Sequence, residues 1–322
     1  MTFSDGKIAD QNFRIEYGDG EFLTGEMGYQ DVTFSGITVD NQQVALVDYA
    51  YWFGDGESSG LLGFAYPGIT SAFSGPDPDK DTNNNSIVYN PFFFNAIEQG
   101  KTEPMFSLAL TRETEGEAGQ LAFGCLPNIP YKGDFVSTPL EVFQFPGSAV
   151  EITEFTYYTI IPDAYIISHG GATKEYFNSE GILLTGQPSE TRDGISNTTL
   201  SNTTPVIVDS GSTLVSLSTA LAAKVNALFD PPATYMSAQD VYEVDCNATP
   251  PKFGVRIAGH DFYLQDQDLL LTGELGLDPD TGMCITGVQP FASEPFILGD
   301  TFLKNVVAVF DVGKGEMRFA EQ

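Results

Sequence analysis

One short stretch, "TTPVIVDSGSTLVSLS" at residues 203–218, has the residue types and spacing that acid–base chemistry needs. An apolar run ends there at a single carboxylate, Asp209. The residues that follow it are small or hydroxylated: Ser210, Gly211, Ser212 and Thr213. A glycine lets the backbone turn tightly beside the acid, and a hydroxyl can donate a hydrogen bond to the carboxylate. Such a carboxylate can act as a base on water if a second carboxyl group stays protonated nearby, because like charges in contact cannot both ionise.

Short alternating apolar and polar runs, separated by Gly, Asp, Asn or Pro, dominate the chain and predict β-strands throughout. Helix signals are confined to two places, residues 90–100 with Pro91 near the start, and residues 218–230 with Ser218 as a cap. The predicted fold class is therefore mainly β with a few short helices. Turn residues before position 150 suggest two parts, residues 1–143 and residues 144–322, while residues 74–86 and 185–204 are predicted surface loops.

An internal sequence repeat indicates that the two parts are copies of one β unit. The segment "SGLLGFAYP" at residues 59–67 resembles "PFILGDTFL" at residues 295–303, with an aliphatic pair before a glycine in each. Asp209 precedes Ile297 by 88 residues, and the same spacing ahead of Leu61 falls about 27 residues before Met1. We expect the partner carboxylate of Asp209 to lie outside the chain as given.

The charge balance excludes some classes of partner. The 322 residues include 14 basic and 44 acidic side chains, for a net charge of −30. A polyanion repels nucleic acid and anionic membranes, so we expect neither as a partner. The acidity can serve solubility alone, or it can suit an acidic environment in which many carboxylates are protonated.

The cysteines, histidines and sequons bear on compartment and cofactors. With three cysteines, no Cys-x-x-Cys and two histidines (His169 and His260), we expect no metal and no cofactor, and both histidines are predicted to be structural. The Asn-x-Ser/Thr sequons, which favour a secreted glycoprotein, are at Asn84, Asn197, Asn202 and Asn247. The N-terminus has no charged and apolar leader pattern, so it does not resemble a signal peptide.

Several segments together resemble the pepsin-like aspartic peptidases (family A1), and their wording is most similar to fungal secreted members. "VIVDSGSTLVSLS" resembles the second active-site motif, and "SSGLLGFAYP" and "FILGDTFLKNVVAVFDVGKGEMRFA" resemble the segments that follow each motif. "FRIEYGDGEFLTGEMGYQDVTFSGITV" resembles the flap hairpin, whose tip would be Tyr17, Gly18, Asp19 and Gly20. The resemblance implies a bilobal β fold with lobes related by a pseudo-two-fold axis.

The resemblance also implies roles and partners. Asp209 would be one of two catalytic carboxylates, Ser210 would reach towards the other lobe's loop, and the flap would cover the substrate. A disulfide would join Cys246 to Cys284, while Cys125 is expected to be buried and free, or to lack a partner in a missing segment. The implied partners are peptide or protein substrates and pepstatin-like inhibitors, for a monomer that is extracellular or vacuolar.

The chain departs from the family at its start. The family's first Asp-Thr-Gly-Ser precedes the flap by several tens of residues, but only sixteen residues precede Tyr17. Asp48 follows an apolar run, but Tyr49 and Ala50 stand where a tight turn needs a glycine and a hydroxyl, so Asp48 is interpreted as structural. We expect a truncated start, an N-terminal lobe without its first strands and first catalytic Asp, and an inactive chain as given.

Other interpretations stay open at this point. Asp209 can be a turn residue at a strand end, Tyr17 an ordinary β-sheet tyrosine, and Cys246 and Cys284 two free thiols. Two alternative functions accompany these: a non-catalytic peptide-binding protein that kept the cleft, and a homodimer in which two copies of Asp209 meet. A serine triad built on Ser212 lacks the Gly-x-Ser-x-Gly elbow.

Overall fold

A computed structural model describes residues 2–18, 20–54, 58–112, 118–144, 152–168, 173–184, 204–273 and 276–322. The fold is mainly β, as the alternating sequence pattern predicts, with short helices between strands. The chain divides into two units, residues 1–104 with 154–156, and residues 105–153 with 157–322.

The first unit is built on a five-stranded sheet with the order β3-β2-β1-β4-β5. Its strands are β1 (Lys7–Glu16), β2 (Phe22–Phe34), β3 (Ile37–Tyr51), β4 (Ala72–Ser74) and β5 (Ser86–Ile87). Short 3-10 helices lie at Pro67–Ile69 and Pro78–Lys80, and helix α1 is Phe92–Glu98. Phe92 and Phe93 of α1 are fully buried, as is Met27 of β2, and these apolar side chains form part of the unit's core.

The second unit contains several sheets. Its strands are β6 (Met105–Leu110), β7 (Gly119–Phe123), β8 (Lys132–Pro139), β9 (Thr159–Ile160), β10 (Ala164–Ser168), β11 (Glu175–Phe177), β12 (Val206–Val208), β13 (Val215–Ser218), β14 (Thr234–Met236), β15 (Val241–Val244), β16 (Lys252–Ile257), β17 (His260–Tyr263), β18 (Cys284–Ile285), β19 (Val288–Phe291), β20 (Phe296–Leu298), β21 (Val306–Asp311) and β22 (Glu316–Glu321). Helix α2 is Thr219–Asn226 and helix α3 is Asp300–Leu303. The sheet that matters for function has the order β19-β13-β20-β12-β9.

The first unit ends at residue 104 rather than near residue 143, for a reason that the sequence does not display. Strands β6, β7 and β8 join β21 and β22 in one sheet with the order β7-β6-β21-β22-β8. The half-buried Arg112 guanidinium donates to both carboxylate oxygens of the buried Asp268, at 2.9 and 2.6 Å. These long-range pairings attach residues 105–139 to the second unit, and the lobe boundary at residue 143 stays a prediction.

Both predicted helices are present, and their ends follow the capping signals. Helix α1 begins after Pro91, and Gly100 just beyond it has φ +65°, a conformation that favours glycine. Helix α2 begins after Ser218, whose hydroxyl accepts a hydrogen bond from the Leu221 backbone N–H at 3.3 Å. No helix among the described residues is long and apolar enough to cross a membrane.

Candidate active site

Strand β12 delivers Asp209 to the end of a buried sheet. All three residues of β12 are buried, because the strand lies between β20, which runs parallel to it, and β9, which is antiparallel. The Asp209 backbone N–H continues the pairing with β20 by donating to the Leu298 carbonyl at 3.1 Å. The apolar residues of the motif are therefore core residues, and they fix where the carboxylate emerges.

The chain after Asp209 crosses the end of β20 and returns on its other side. Strand β13 pairs antiparallel with β20, so β20 lies between the two strands that flank the motif. The Ser212 carbonyl accepts from the Asp300 N–H at 2.8 Å, and the Thr213 carbonyl accepts from the Thr301 N–H at 3.0 Å. A Cβ at Gly299 would lie 2.2 Å from the Ser212 oxygen, so this crossing requires glycine at that position.

Both oxygens of the Asp209 carboxylate accept hydrogen bonds from the residues that follow it. The Gly211 backbone N–H donates to Oδ1 at 2.8 Å, and the Ser212 hydroxyl donates to Oδ2 at 2.8 Å. Asp209 itself is half-buried, while Ser210 and Thr213 are exposed. The structure thus brings Gly211 and Ser212 to the acid, and the reach of Ser210 towards another loop stays a prediction.

Two further ionisable groups lie near Asp209 that sequence reasoning did not single out. Burial raises the pKa of Asp300 to about 7, with the charge of Asp209 adding to the rise and Lys304 opposing it. Burial also raises the pKa of Tyr157, with a smaller contribution from Asp209. Asp300 directly follows Gly299, the glycine of the second repeat segment (residues 295–303). This position is the one sequence signal that could have identified Asp300 as a site residue.

The raised pKa of the half-buried Asp300 predicts a fall in stability as the pH rises. Its folded-state pKa is raised to about 7, so its favourable contribution is complete below pH ~4 and is lost as the pH rises to about 7. Asp300→Asn removes the ionisable group and with it this loss. We compare the free energy of unfolding of the variant with that of the parent. The difference in favour of the variant should be about 2–4 kcal/mol larger at pH 8 than at pH 4. Urea unfolding at both pH values measures the difference.

Asp134→Asn is the matched control, since Asp134 is exposed on β8. The effect of this change on the free energy of unfolding should be the same at pH 4 and pH 8. An Asp300→Asn variant whose stability relative to the parent is the same at pH 4 and pH 8 would show that Asp300 ionises normally in the folded chain.

The flap-like hairpin is present in the first unit. Strands β1 and β2 pair antiparallel up to Glu16 and Phe22. At the tip, the Tyr17 N–H donates to the Glu21 carbonyl at 2.8 Å, and the Gly20 N–H donates to the Tyr17 carbonyl at 3.0 Å. Gly20 has φ +90°, which explains its identity, and the Tyr17 ring lies edge-on to Trp52 at 5.6 Å.

The remaining predicted site residues are placed as follows. Gly18 is exposed at the hairpin tip, and Asp19 lies outside the described residues. Of the sequons, Asn84 and Asn247 are exposed, whereas Asn197 and Asn202 lie outside the described residues, as does His169. Glycosylation stays a prediction at all of these asparagines.

A disulfide joins Cys246 and Cys284, with their Cα atoms 5.0 Å apart. It connects β18 to the turn after β15, and these two strands are also paired through Val244 and Cys284. Cys125 has no disulfide partner, but it is exposed, so the prediction that it is buried is wrong. The turn after β7 carries Cys125 to the surface, where its backbone carbonyl accepts from the Ser107 hydroxyl at 2.6 Å.

Removing the disulfide should lower the free energy of unfolding more than removing the free thiol does. We expect Cys246→Ser combined with Cys284→Ser to lower the free energy of unfolding by about 2–4 kcal/mol, because the closed loop of the unfolded chain gains entropy. Cys125→Ser should change it by less than about 0.5 kcal/mol. Urea unfolding without reductant makes the comparison, and equal effects from the two changes would contradict the assignment.

A second triplet of the Asp-Thr/Ser-Gly pattern, Asp280-Thr281-Gly282, is not a second copy of the site. It lies in an exposed turn rather than at the end of a buried strand. The Asp280 N–H donates to Asp278 at 2.7 Å, and the Thr281 hydroxyl donates to Glu243 at 2.9 Å. The triplet closes a turn next to Cys284, so its residues serve local structure.

Asp48 and His260 also have structural surroundings. Asp48 is an exposed residue within β3, at a register shift against β2, and no tight turn follows it. The His260 Nε2 lies 2.9 Å from the Glu321 carboxylate, and its ring packs against Phe262 at 4.6 Å.

Comparison with known proteins shows the family of the chain. The family model described as eukaryotic aspartyl protease matches residues 4–172 and 177–322. The chain belongs to the eukaryotic aspartyl protease family. A relative named "Probable aspartic-type endopeptidase" from Aspergillus fumigatus is 38% identical over 314 residues, which are 95% of this chain and 63% of that protein. Penicillopepsin-1 of Talaromyces stipitatus is 25% identical over 100% of this chain and 68% of its own length.

A comparison with solved structures shows that the chain has the fold of an aspartic proteinase. The crystal structure of an aspartic proteinase from Irpex lacteus matches all of the chain and 84% of its own, with a TM-score of 0.70 and 18% identity. The aspartic proteinase MKC7 of Saccharomyces cerevisiae is 26% identical over 99% of this chain and 49% of its own length. The chain therefore spans about half to two thirds of the length of the curated relatives it matches.

Proposed function

We propose that the chain carries one half of the catalytic machinery of an acid endopeptidase, with Asp209 as one of two carboxylates that activate water for peptide-bond hydrolysis. The observation that supports this most is the fixed geometry of Asp209 at the end of β12, where Gly211 and Ser212 each donate to one of its oxygens at 2.8 Å. The two donors hold the carboxylate in a fixed orientation at the end of a buried strand, where it can face a second carboxyl group.

The proposed chemistry follows from a pair of carboxyl groups that share a proton, for which the aspartic protease dyad is itself the established example. One carboxylate takes a proton from water while the other, protonated, donates to the carbonyl oxygen of the scissile peptide. The hydrogen bonds from Gly211 and Ser212 hold the Asp209 carboxylate in one orientation, so little reorganisation is needed during the reaction.

The second carboxylate is proposed to come from a first Asp-Thr/Ser-Gly motif that residues 1–322 do not supply. The Asp280 triplet does not provide it, since it forms a surface turn. We therefore expect residues 1–322 alone to be inactive or nearly so. The hairpin tip at Tyr17 is proposed as the flap that covers the substrate and excludes water.

The proposed partners are peptide or protein substrates with large apolar side chains in an extended conformation, and inhibitors of the pepstatin class. The proposed compartment is extracellular or vacuolar, for a fungal, secreted and N-glycosylated monomer. The disulfide between Cys246 and Cys284 and the exposed sequons at Asn84 and Asn247 support an oxidising compartment.

The test is a peptide-cleavage assay near pH 4, with and without a pepstatin-like inhibitor, on residues 1–322 and on the same chain joined to a first-motif segment of the Aspergillus fumigatus relative. Inhibitor-sensitive cleavage only by the joined chain supports the proposal. A joined, folded chain that binds peptides without cutting them would favour the alternative, a non-catalytic peptide-binding protein.

A further inference from the structure

The acid that follows the hairpin tip is buried. Glu21 is only 8% exposed, although Gly20 before it is exposed. A buried carboxylate requires hydrogen bonds, because removing its charge from water is otherwise costly. The Glu21 carboxylate accepts one from the Phe53 backbone N–H, and the Glu21 backbone carbonyl accepts one from the Tyr17 N–H at 2.8 Å. Glu21 therefore bonds to both the tip and the chain that follows β3.

The bond from Phe53 joins two segments beyond the end of the sheet. Strands β2 and β3 pair as far as Phe22 and Tyr51, and both Glu21 and Phe53 lie outside this pairing. A hydrogen bond to an ionised carboxylate is stronger than one between neutral groups, so it can hold backbone that lies past the last pair of the two strands. The Glu21 side chain thus extends the connection between the strands to the residues beside the tip.

Trp52 is the side chain that this bond places. Its backbone precedes the bonded Phe53 directly, and its indole lies edge-on to the Tyr17 ring, with the ring centroids 5.6 Å apart. The indole also lies close to Gly54, where an added Cβ would be 2.6 Å from both Cδ1 and Nε1 of Trp52. Glycine at position 54 therefore leaves the space that the indole occupies beside Tyr17.

We propose that Glu21 is a positioning residue for the hairpin tip: by accepting the Phe53 N–H, it holds Trp52 against Tyr17 and fixes the Tyr17 ring before a peptide binds. The inference rests on the proposed function, because Tyr17 meets a peptide only if the tip acts as the flap. The Tyr17 side chain is half-buried, so without Trp52 beside it the ring can take several rotamers. Fixing one rotamer in advance lowers the entropy cost of binding.

Trp52 is the single tryptophan of the chain, so its fluorescence reports on this position alone. In purified residues 1–322, Glu21→Ala should shift the emission to longer wavelength and raise the acrylamide quenching constant, because the indole loses its support and enters water. Glu21→Gln should keep the emission of the parent, since an amide oxygen still accepts the Phe53 N–H. Glu26→Ala is the control, because it removes a carboxylate of β2 that pairs with Lys7, and it should leave the emission unchanged.

Gly54→Ala tests the same position without changing Glu21, and it decides the matter if Glu21→Ala does not fold. Its Cβ requires the space of the indole, so Trp52 should move away from Tyr17 and show the same red shift. Gly60→Ala is the matched control, since a Cβ there would meet no atom within 4 Å. Circular dichroism checks that each variant folds like the parent.

Peptide cleavage tests the consequence for the proposed flap. The chain joined to a first-motif segment is assayed with an apolar peptide substrate. We expect KM to rise about 3–10-fold in Glu21→Ala and in Gly54→Ala, the scale of one lost aromatic pair, with kcat within about twofold of the parent. The change should appear in KM, because a tyrosine fixed in advance favours the substrate and the transition state alike. Glu21→Gln should keep the KM of the parent.

The outcomes separate this inference from the proposed function. A joined chain that binds the peptide without cutting it would contradict the endopeptidase proposal. The dissociation constant of the peptide then takes the place of KM, and the same rise would uphold the role of Glu21. Parent-like emission in Glu21→Ala or Gly54→Ala would overturn the inference, as would a red shift with unchanged KM and dissociation constant. A Glu21→Gln variant that behaves like Glu21→Ala would also overturn it, because the bond from Phe53 would then not be the cause.

Discussion

Asp209→Asn is expected to abolish peptide cleavage by a polypeptide that joins residues 1–322 to a first-motif segment. Asparagine keeps the shape of the side chain, but it can neither take a proton from water nor share one with a second carboxyl group. We expect kcat/KM at pH 4 to fall by about 10²–10⁴-fold, which is the contribution of a positioned acid or base. Initial rates on an apolar peptide substrate measure the loss.

Asp280→Asn is the matched control for this prediction. Asp280 belongs to the same Asp-Thr/Ser-Gly sequence pattern, but it lies in an exposed turn. Its replacement should therefore leave kcat/KM within about twofold of the parent. Retention of more than a tenth of the activity by a folded Asp209→Asn variant would contradict the role assigned to Asp209.

Gly299→Val is expected to have the largest effect on stability. Its Cβ would meet the carbonyl oxygens of Ser212 and Leu214 at 2.2 and 2.4 Å, and both are backbone atoms of the loop that carries the acid. The loop cannot move away without breaking the bonds from Asp300 and Thr301 to it. We expect a loss of about 4 kcal/mol or more in the free energy of unfolding, or failure to accumulate as soluble protein.

Gly60→Val is the comparison. A Cβ at Gly60 would meet no atom within 4 Å, so this change should lower the free energy of unfolding by less than about 0.5 kcal/mol. Urea unfolding of the two variants at pH 5 decides between them. A Gly299→Val protein as stable as Gly60→Val would show that the crossing over β20 is looser than the structure has it.

Local sequence patterns predicted much of the fold because they act within a few residues. The β class follows from alternation, and α2 begins where Ser218 can cap it. The attachment of residues 105–139 to the second unit could not be predicted, since it depends on β6 and β8 pairing with β21 and β22, which lie about 200 residues further along the chain.

The acid motif could be recognised from sequence because its residues are adjacent, whereas its surroundings could not. Asp300 lies 91 residues after Asp209, and only the position of β20 between β12 and β13 brings the two close enough for their charges to interact. The exposure of Cys125 was missed for a similar reason, because cysteine is usually buried and only the turn after β7 places this one at the surface. Conversely, the Asp280 triplet shows that the Asp-Thr/Ser-Gly sequence pattern alone does not make a candidate catalytic site.

Residues 1–322 are proposed to hold one catalytic carboxylate and to need a second from a first-motif segment. The most direct test is the rate of peptide cleavage near pH 4 by purified residues 1–322 alone, measured with and without a pepstatin-like inhibitor. We predict no cleavage above background until a first-motif segment is joined to the chain. Robust cleavage by residues 1–322 alone that the inhibitor blocks would contradict this proposal.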